Sequence, residues 1–315
     1  MKLLPNTVIN FHAVNEPDWM DRFLLYLKHV YTIIPLLDLG NYYEGKPIKN
    51  ACHLTFDDGD LSFYKIVFPL ITKHKIPVSV FISPKIAIEQ QNFWFQEIQG
   101  YCTKRLKKII SKKLFLKESV IADYPLNALL KQLPLYLIWE IIEHYQLENN
   151  APAKPPFNMN VEQVKEIYNS GLVSVGAHTL NHSILQNESD EISKTEIMES
   201  IDGLSDILNH RVNIFAYPNG KPGFDFGDRE FEILKLASIK YAFSTEVGFI
   251  SRNDNLLSIP RQEMLYASKN RILFNLLLGR KYNQAKKKLR FKREEDYRKE
   301  IKSLLLQSRE RQIIL

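Results

Sequence analysis

Residues 52–59 have the sequence CHLTFDDG, in which a strand-like segment leads directly into two carboxylates. It begins as an apolar run, which predicts a buried strand over 52–57, and it ends in two acidic residues and a glycine. Gly59 permits a sharp turn, so Asp57 and Asp58 can approach one centre from different sides. Two adjacent carboxylates in a partly buried site repel, and a cation beside them relieves that repulsion. The apolar strand disfavours the alternative, an ordinary Asp-Asp-Gly surface turn.

Strand-like runs recur along the chain, and helical patterns separate most of them. This alternation predicts an α/β fold with parallel strands and helical crossovers. About seven strands predict a distorted (β/α) barrel, and an open doubly wound sheet is the alternative that periodicity does not separate from it. No glycine-rich phosphate fingerprint follows any strand, which disfavours nucleotide binding. The other runs are 8–13, 78–83, 172–178, 212–218, 241–246 and 258–264, with a short additional candidate at 32–37.

Two segments break this rhythm. Residues 92–155 are rich in helical patterns, aromatic residues and basic residues, and predict a helical insertion that forms a lid or substrate wall, or a pad that covers the barrel. Residues 269–315 carry 15 Lys and Arg against 5 Asp and Glu, a charge of +10, whereas the remaining chain carries −4. The predicted organisation is therefore a barrel over 1–268 containing the insertion, followed by a basic helical tail.

The basic tail predicts peripheral contact with phosphate groups, and an anionic membrane is the expected partner. A solvated helix face is the alternative, and nucleic acid is not expected because no recognition motif accompanies the charge. The chain shows no apolar signal core at its start and no run of about 20 apolar residues. Two cysteines make no disulfide framework. We therefore expect a cytoplasmic protein, peripheral to the inner face of the membrane.

A second chemical signal is the pair His178 and His182, four residues apart. One helical turn would place both imidazoles on the same side, as a metal site requires. With a carboxylate from another strand end, they supply two nitrogen ligands and one oxygen ligand and leave positions open for water and substrate. That is the layout of a catalytic zinc site. His53 lies four residues before Asp57 on the same strand face, roughly 13 Å deeper, and is predicted to be a packed core histidine.

Five notable features fall at the ends of predicted strands. In a parallel barrel these ends meet on one face, where barrel enzymes carry their active sites. The features are His12, the Asp57-Asp58 pair, the segment 178–182, the segment 216–220 and Arg261.

These residues resemble a known family. The segments 55–59 (TFDDG) and 178–182 (HTLNH), in this order, are similar to motifs of the polysaccharide deacetylase family, the NodB-homology domain. The similarity runs from about residue 7 to 265, interrupted by the insertion. It implies a distorted barrel of about seven strands, a divalent metal that is usually zinc, and an N-acylated amino sugar or glycan as substrate.

The resemblance also implies residue roles. Asp57 would act as general base, and Asp58, His178 and His182 would hold the metal. The proposed reaction is amide hydrolysis, in which water attacks the acyl carbon while Asp57 takes its proton.

Two departures from the family pattern affect the remaining roles. The third motif usually contains an arginine and a tyrosine, but Ala216 and Asn219 stand at these positions in the segment Ala216-Tyr217-Pro218-Asn219-Gly220. We expect Tyr217 and Asn219 to form the oxyanion and substrate-binding segment through the Asn219 backbone N–H, and Arg261 to replace the missing arginine beside the base. No histidine follows His210, so the usual late catalytic histidine is absent.

A rearranged subset of the family supplies that histidine from the first strand. The opening run Val8-Ile9-Asn10-Phe11-His12 resembles the opening motif of this subset. His12 is therefore expected to be the general acid that protonates the leaving sugar nitrogen.

Two alternatives keep the scaffold and change the function. A deformylase acting on a lipid-linked amino sugar would use the same chemistry, and the leucine-rich start of the basic tail favours it. A catalytically weak glycan-binding protein is the second alternative, and only the altered third motif favours it. Acid release from N-acetylglucosamine oligomers separates these functions from N-deacetylation.

Overall fold

A computed structural model describes residues 4–264 and 294–313 of the chain, with side chains up to residue 308. The chain divides into two compact units. The barrel unit comprises Met1–Gln91 and Pro156–Lys286, and the helical unit comprises Asn92–Pro155 and Lys287–Leu315.

The barrel unit is built on a closed barrel of seven parallel strands. Each neighbouring pair is parallel, and pairing between the first and third strands in chain order closes the ring. The short second strand, Thr32–Ile33, lies outside the ring beside the third. The predicted barrel is confirmed, and the open sheet is excluded. The strands are β1 (Thr7–Phe11), β2 (Thr32–Ile33), β3 (Ala51–Phe56), β4 (Val78–Ile82), β5 (Val173–Ala177), β6 (Ile214–Ala216), β7 (Tyr241–Val247) and β8 (Ile259–Glu263).

Amphipathic helices cover the outside of the barrel. Helix α1 (Pro17–Val30) buries Met20, Phe23, Leu24 and Leu27, a spacing that places all four on one face. The predicted cap at Asn160 is present, because its side chain accepts a hydrogen bond from Gln163 N at 2.9 Å. Within the described part of this unit, the α-helices are α1 (Pro17–Val30), α2 (Leu36–Tyr43), α3 (Phe68–His74, continuing a π-helical turn Phe63–Val67), α4 (Pro84–Glu89), α10 (Val161–Asn169), α11 (Asp190–Leu208) and α12 (Asp228–Leu236).

All six residues of β3 are buried, as expected for a parallel strand covered on both faces. Cys52, Leu54 and Phe56 belong to the apolar layer shared with the helices. The alternate residues His53, Thr55 and Asp57 point to the other face, into the barrel. The alternation of side chains along β3 therefore directs Asp57, at the end of segment 52–59, into the barrel interior.

His53 is fully buried, as predicted for a core histidine. Its Nδ1 lies 2.9 Å from Ile34 O and its Nε2 lies 2.9 Å from Ser79 Oγ. A neutral imidazole that donates to the carbonyl and accepts from the hydroxyl satisfies both contacts. Burial lowers the pKa of His53 to about 4.

This shift predicts a pH dependence of stability. Because the unfolded chain protonates His53 near its ordinary value of 6.5, the stabilisation is complete above that pH and is lost as pH falls towards about 4. The gap in unfolding free energy between wild type and His53→Gln should therefore be about 2 kcal/mol smaller at pH 5 than at pH 7.5. Urea unfolding at both pH values measures it. An unchanged gap would mean that His53 does not titrate in this window.

The helical unit has its own core. Leu106, Ile110, Ile141 and Ile142 are buried within it, and Ile301 packs into the same cluster. The insertion and the described end of the basic tail thus form one body, which the sequence did not predict. Residues 269–293 of the predicted tail lie outside the described residues. The helices that the structure describes in this unit are α5 (Trp94–Glu97), α6 (Thr103–Lys113), α7 (Glu118–Ile121), α8 (Leu126–Leu130), α9 (Leu135–Asn149) and α13 (Glu294–Ile313).

Among the helices within the described ranges, none combines the length and the apolar composition that crossing a membrane requires.

Candidate active site

The predicted site residues meet where the strands end at their carboxyl termini. The β1–β3 register pairs Phe11 with Phe56, and Asp57 N donates to Phe11 O at 2.9 Å. His12, which directly follows the last residue of β1, therefore lies beside Asp57. Chain connectivity and register alone place these two chemical groups on one rim.

Asp58, His178 and His182 form a cluster with the dimensions of a metal site. Asp58 Oδ1 lies 3.4 Å from His178 Nε2 and 3.2 Å from His182 Nε2. One ligand atom from each residue lies within 4.8 Å of the other two, and all three residues are buried. A single ion of the size of zinc, with ligand distances near 2 Å, can be reached by all three atoms.

Two observations test whether these residues suit a cation. Asp58 Oδ1 is buried and accepts no hydrogen bond from any described residue, an unfavourable state for a carboxylate oxygen unless a cation lies beside it. His178 Nδ1 lies 2.7 Å from Ala216 O, so this nitrogen carries the proton and Nε2 presents its lone pair to the cluster. Burial alone would raise the pKa of Asp58, but hydrogen bonds and charge from the two imidazoles in their protonated form outweigh burial and hold the pKa well below its ordinary value. A bound cation would supply the same positive charge when the imidazoles are neutral. The donor set fits a divalent metal.

The histidine pair does not lie on a helix, which corrects the expectation of a helical turn. Both residues follow β5 in an irregular loop, where Thr179 has φ 58° and His182 has φ 61°. These left-handed conformations turn the chain so that the two imidazoles converge without helical geometry. Thr179 Oγ1 accepts from Ser183 N at 3.1 Å and fixes the turn.

Glu196 of α11 holds this loop from behind. Its carboxylate accepts from Asn181 N at 2.9 Å and from Asn181 Nδ2 at 2.7 Å, and its backbone oxygen accepts from Leu180 N at 2.9 Å. Glu196 is buried. Glu196 therefore positions His178 and His182 through the backbone between them. In the sequence, its only signal is an acidic residue among the apolar positions that α11 buries.

Asp57 is held by Arg261. The guanidinium makes two parallel hydrogen bonds, Nη1 to Oδ1 at 2.7 Å and Nη2 to Oδ2 at 2.8 Å, and both side chains are almost completely buried. Burial alone would raise the pKa of Asp57, but the Arg261 charge and then His178 outweigh it, so the pKa lies below its ordinary value. Asp57 is therefore ionised at neutral pH. The structure brings together the two residues that the sequence assigned to the base and its missing arginine.

A polar shell around this pair was not predicted from the sequence. Asn10 donates to Asp57 Oδ2 at 3.0 Å and accepts from Arg261 Nη1 at 3.0 Å. Thr55 Oγ1 lies 3.2 Å from Arg261 Nη1, and Ser244 O accepts from Arg261 Nε at 2.8 Å. Polar residues at inward positions of apolar strands are the signal that could have revealed Asn10 and Thr55. Ser244 contributes its backbone oxygen, which no side-chain pattern marks.

His12 stands at the open side of the site. Its Nε2 lies 3.9 Å from Asp57 Oδ2, its Nδ1 lies 4.0 Å from Glu263 Oε1, and 43% of its side chain is exposed. An accessible imidazole between two carboxylates can hold and deliver a proton to a bound molecule. Sequence reasoning missed Glu263, which follows Arg261 by two positions on β8 and so faces the same way.

The predicted oxyanion segment divides into two parts. The Tyr217 side chain is buried, stacks on Phe226 with ring centroids 3.5 Å apart and donates to Leu257 O at 2.8 Å. Because the ring packs in the core and the hydroxyl is occupied by this hydrogen bond, a substrate role for Tyr217 can rest only on its backbone. Asn219 has φ 57°, and Thr245 Oγ1 donates to its carbonyl at 2.5 Å, which anchors the turn while leaving the N–H role a prediction.

A closed parallel barrel with a carboxylate–histidine cluster beside a buried Asp–Arg pair defines the class: (β/α)-barrel proteins with a metal-type site at the strand ends. More specifically, the chain belongs to the polysaccharide deacetylase family, because the model of that family matches residues 44–241.

Known proteins of this kind resemble the chain at low identity. A poly-β-1,6-N-acetyl-D-glucosamine N-deacetylase from Staphylococcus aureus is 22% identical over 226 residues, covering 70% of this chain and 57% of the relative, so the chain spans little more than half of that protein's length. Two solved structures share the fold. The Streptococcus pyogenes deacetylase PplD has TM-score 0.59 and 18% identity over 88% of this chain and 99% of its own. IcaB from Ammonifex degensii has TM-score 0.54 and 18% identity, covering 85% and 93%.

Proposed function

We propose that this protein hydrolyses an N-acyl group from an amino sugar in a glycan or glycan precursor, and that the acyl group is acetyl. The hydrolysis would depend on one bound divalent metal ion. The observation that carries the proposal is the Asp58, His178 and His182 cluster beside the Asp57–Arg261 pair. Family membership and the name of the S. aureus relative support the acetyl group and the amino sugar. Zinc suits two imidazoles and a carboxylate.

Each residue has a defined task in this proposal. A bound divalent ion would polarise the acyl oxygen and lower the pKa of a water molecule. Asp57 accepts the proton of the attacking water, since it is ionised and its Oδ2 lies 3.9 Å from Nε2 of the exposed His12. Arg261 and Asn10 hold the Asp57 carboxylate in one orientation through three hydrogen bonds. The Asn219 N–H is assigned to the developing oxyanion.

His12 is assigned as the general acid, because an amine leaves poorly unless it is protonated. His12→Gln should lower kcat by about 10²–10⁴ on an N-acetyl amide and by much less on an O-acetyl ester of similar shape, whose leaving group needs less help. Parallel assays on the two substrates measure the ratio. His74→Gln, another histidine beside a carboxylate, is the control. Equal activity of His12→Gln and wild type on the amide would assign the proton to another group.

An acyl-group screen tests the function itself. Metal-reconstituted protein is incubated with N-acetyl and N-formyl glucosamine oligomers, and acetate, formate and free amine are measured. Acetate with equimolar amine supports the proposal. Formate alone would transfer the assignment to the deformylase alternative, which the sequence of the tail favours. Oligomer binding without release of either acid would leave the glycan-binding alternative.

The cytoplasmic location and the membrane contact of the tail stay predictions. Residues 269–293 lie outside the described residues, and the described part of the tail packs Ile301 into the core of the helical unit. The charge of the tail is the support for this contact.

A further inference from the structure

Helix α6 carries a row of lysines on its solvent face. It buries Leu106, Ile109, Ile110 and Ser111 against the helical unit, and Lys104, Lys108 and Lys112 are exposed. The i, i+4, i+8 spacing aligns the three lysines along about 12 Å of one face.

Most basic residues near this row have local partners, whereas the row itself does not. Arg105 contacts Asn149, Lys107 contacts the Ala122 carbonyl, and Lys113 pairs with Glu140 at 2.7 Å. Within the described ranges, the side-chain ammonium groups of these three lysines make no hydrogen bond and no ion pair. Like charges at this spacing destabilise a helix, so an external anion would relieve a repulsion that the fold leaves uncompensated.

An exposed phenylalanine continues this surface past the end of the helix. Phe115 is 79% exposed and has φ 53°. Leu116 N donates to Ser111 O at 2.9 Å, and Phe115 N donates to Lys112 O at 3.3 Å, which is a Schellman motif with Phe115 at the position that favours glycine. Neither packing nor backbone geometry explains a phenylalanine here, because its ring is in solvent and its conformation is disfavoured for a side chain.

We propose that Lys104, Lys108, Lys112, Phe115 and the exposed Lys117 form a docking surface for a bilayer of anionic phospholipids. The lysines would meet the headgroup charges, and the Phe115 ring would enter the apolar boundary below them. A row of cations that ends in one protruding aromatic side chain matches a surface with charge at its outer level and hydrocarbon beneath. This surface is independent of the proposed catalytic function.

Vesicle co-sedimentation of the full chain at low salt tests the surface. Wild type should bind vesicles of phosphatidylcholine with 30% phosphatidylglycerol, should not bind pure phosphatidylcholine, and should be released at high salt. Lys104→Ala with Lys108→Ala and Lys112→Ala should weaken binding on the order of a hundredfold. Phe115→Gly should weaken it by about tenfold.

The two sets of variants separate docking from folding. Phe115→Gly removes the disfavoured conformation, so its thermal midpoint should equal or exceed that of wild type while its binding falls. The matched control, Lys49→Ala with Lys65→Ala and Lys194→Ala, removes the same charge from exposed positions of the barrel unit and should bind like wild type.

Three outcomes would overturn the proposal. They are no binding of wild type to the anionic vesicles, equal loss in the control triple variant, and tighter Phe115-dependent binding to a single-stranded DNA 20-mer at the same salt. The last would assign the surface to nucleic acid.

Discussion

Replacing both histidines of the cluster, as His178→Ala with His182→Ala, is expected to abolish stoichiometric metal binding and leave the barrel folded. The pair supplies both nitrogen ligands, and only the Asp58 carboxylate would remain. Loss of an outer-shell partner alone weakens metal binding by roughly 10–100-fold, so loss of two direct ligands should exceed this. Elemental analysis after dialysis measures the effect.

A stability measurement gives a second readout that does not depend on activity. Metal at 100 times its dissociation constant should stabilise the wild-type fold by about 2.7 kcal/mol, and it should not stabilise the double variant. His144→Ala with His210→Ala is the matched control, because it removes two histidines from elsewhere in the chain and should bind metal like wild type. Stoichiometric metal in the double cluster variant would contradict the ligand assignment.

Asp57→Asn is expected to keep the metal and to lower kcat by about 10²–10⁴. Asparagine matches the carboxylate in shape, and its oxygen can still accept a hydrogen bond from Arg261. It cannot take a proton from water, so the variant removes the base and preserves the geometry. Metal content and kcat on a verified substrate are measured on the same sample.

Asp57→Asn also leaves the Arg261 charge buried without its counter-charge, which can destabilise the fold by about 3–5 kcal/mol. The double variant Asp57→Asn with Arg261→Gln removes both charges. It should be more stable than the single variant and no more active. Recovery of activity in the double variant would show that charge imbalance, not loss of the base, inactivates Asp57→Asn.

Much of the fold was predictable because its strands are apolar runs buried on both faces. The run at 52–57 became β3 within one residue at each end, and the chemical residues at the strand ends met on one rim. Closure of the barrel was not predictable from periodicity, because it depends on the pairing of β1 with β3, strands more than 40 residues apart.

The parts of the site that the sequence did not predict depend on long-range contacts and on backbone conformation. Asn10 contacts Asp57, which is 47 positions away in the chain, and Glu196 contacts Asn181, which is 15 positions away. A local sequence pattern does not indicate contacts between residues so far apart. The spacing of His178 and His182 is compatible with a helical turn and with a loop. The left-handed backbone conformation of Thr179, which no sequence pattern indicates, produces the loop. The sequence likewise predicts the tail as a separate segment, because the residues against which its described part packs lie far away in the chain, in the insertion.

The most direct test of the central claim compares wild type with Asp57→Asn, both loaded with one divalent ion per chain, on an N-acetylglucosamine oligomer. Acetate and free amine are measured over the same time course. We expect equimolar acetate and amine from wild type and at least a hundredfold slower release from the variant. No acid released by metal-loaded wild type on any N-acyl amino sugar, or equal release by both proteins, would contradict it.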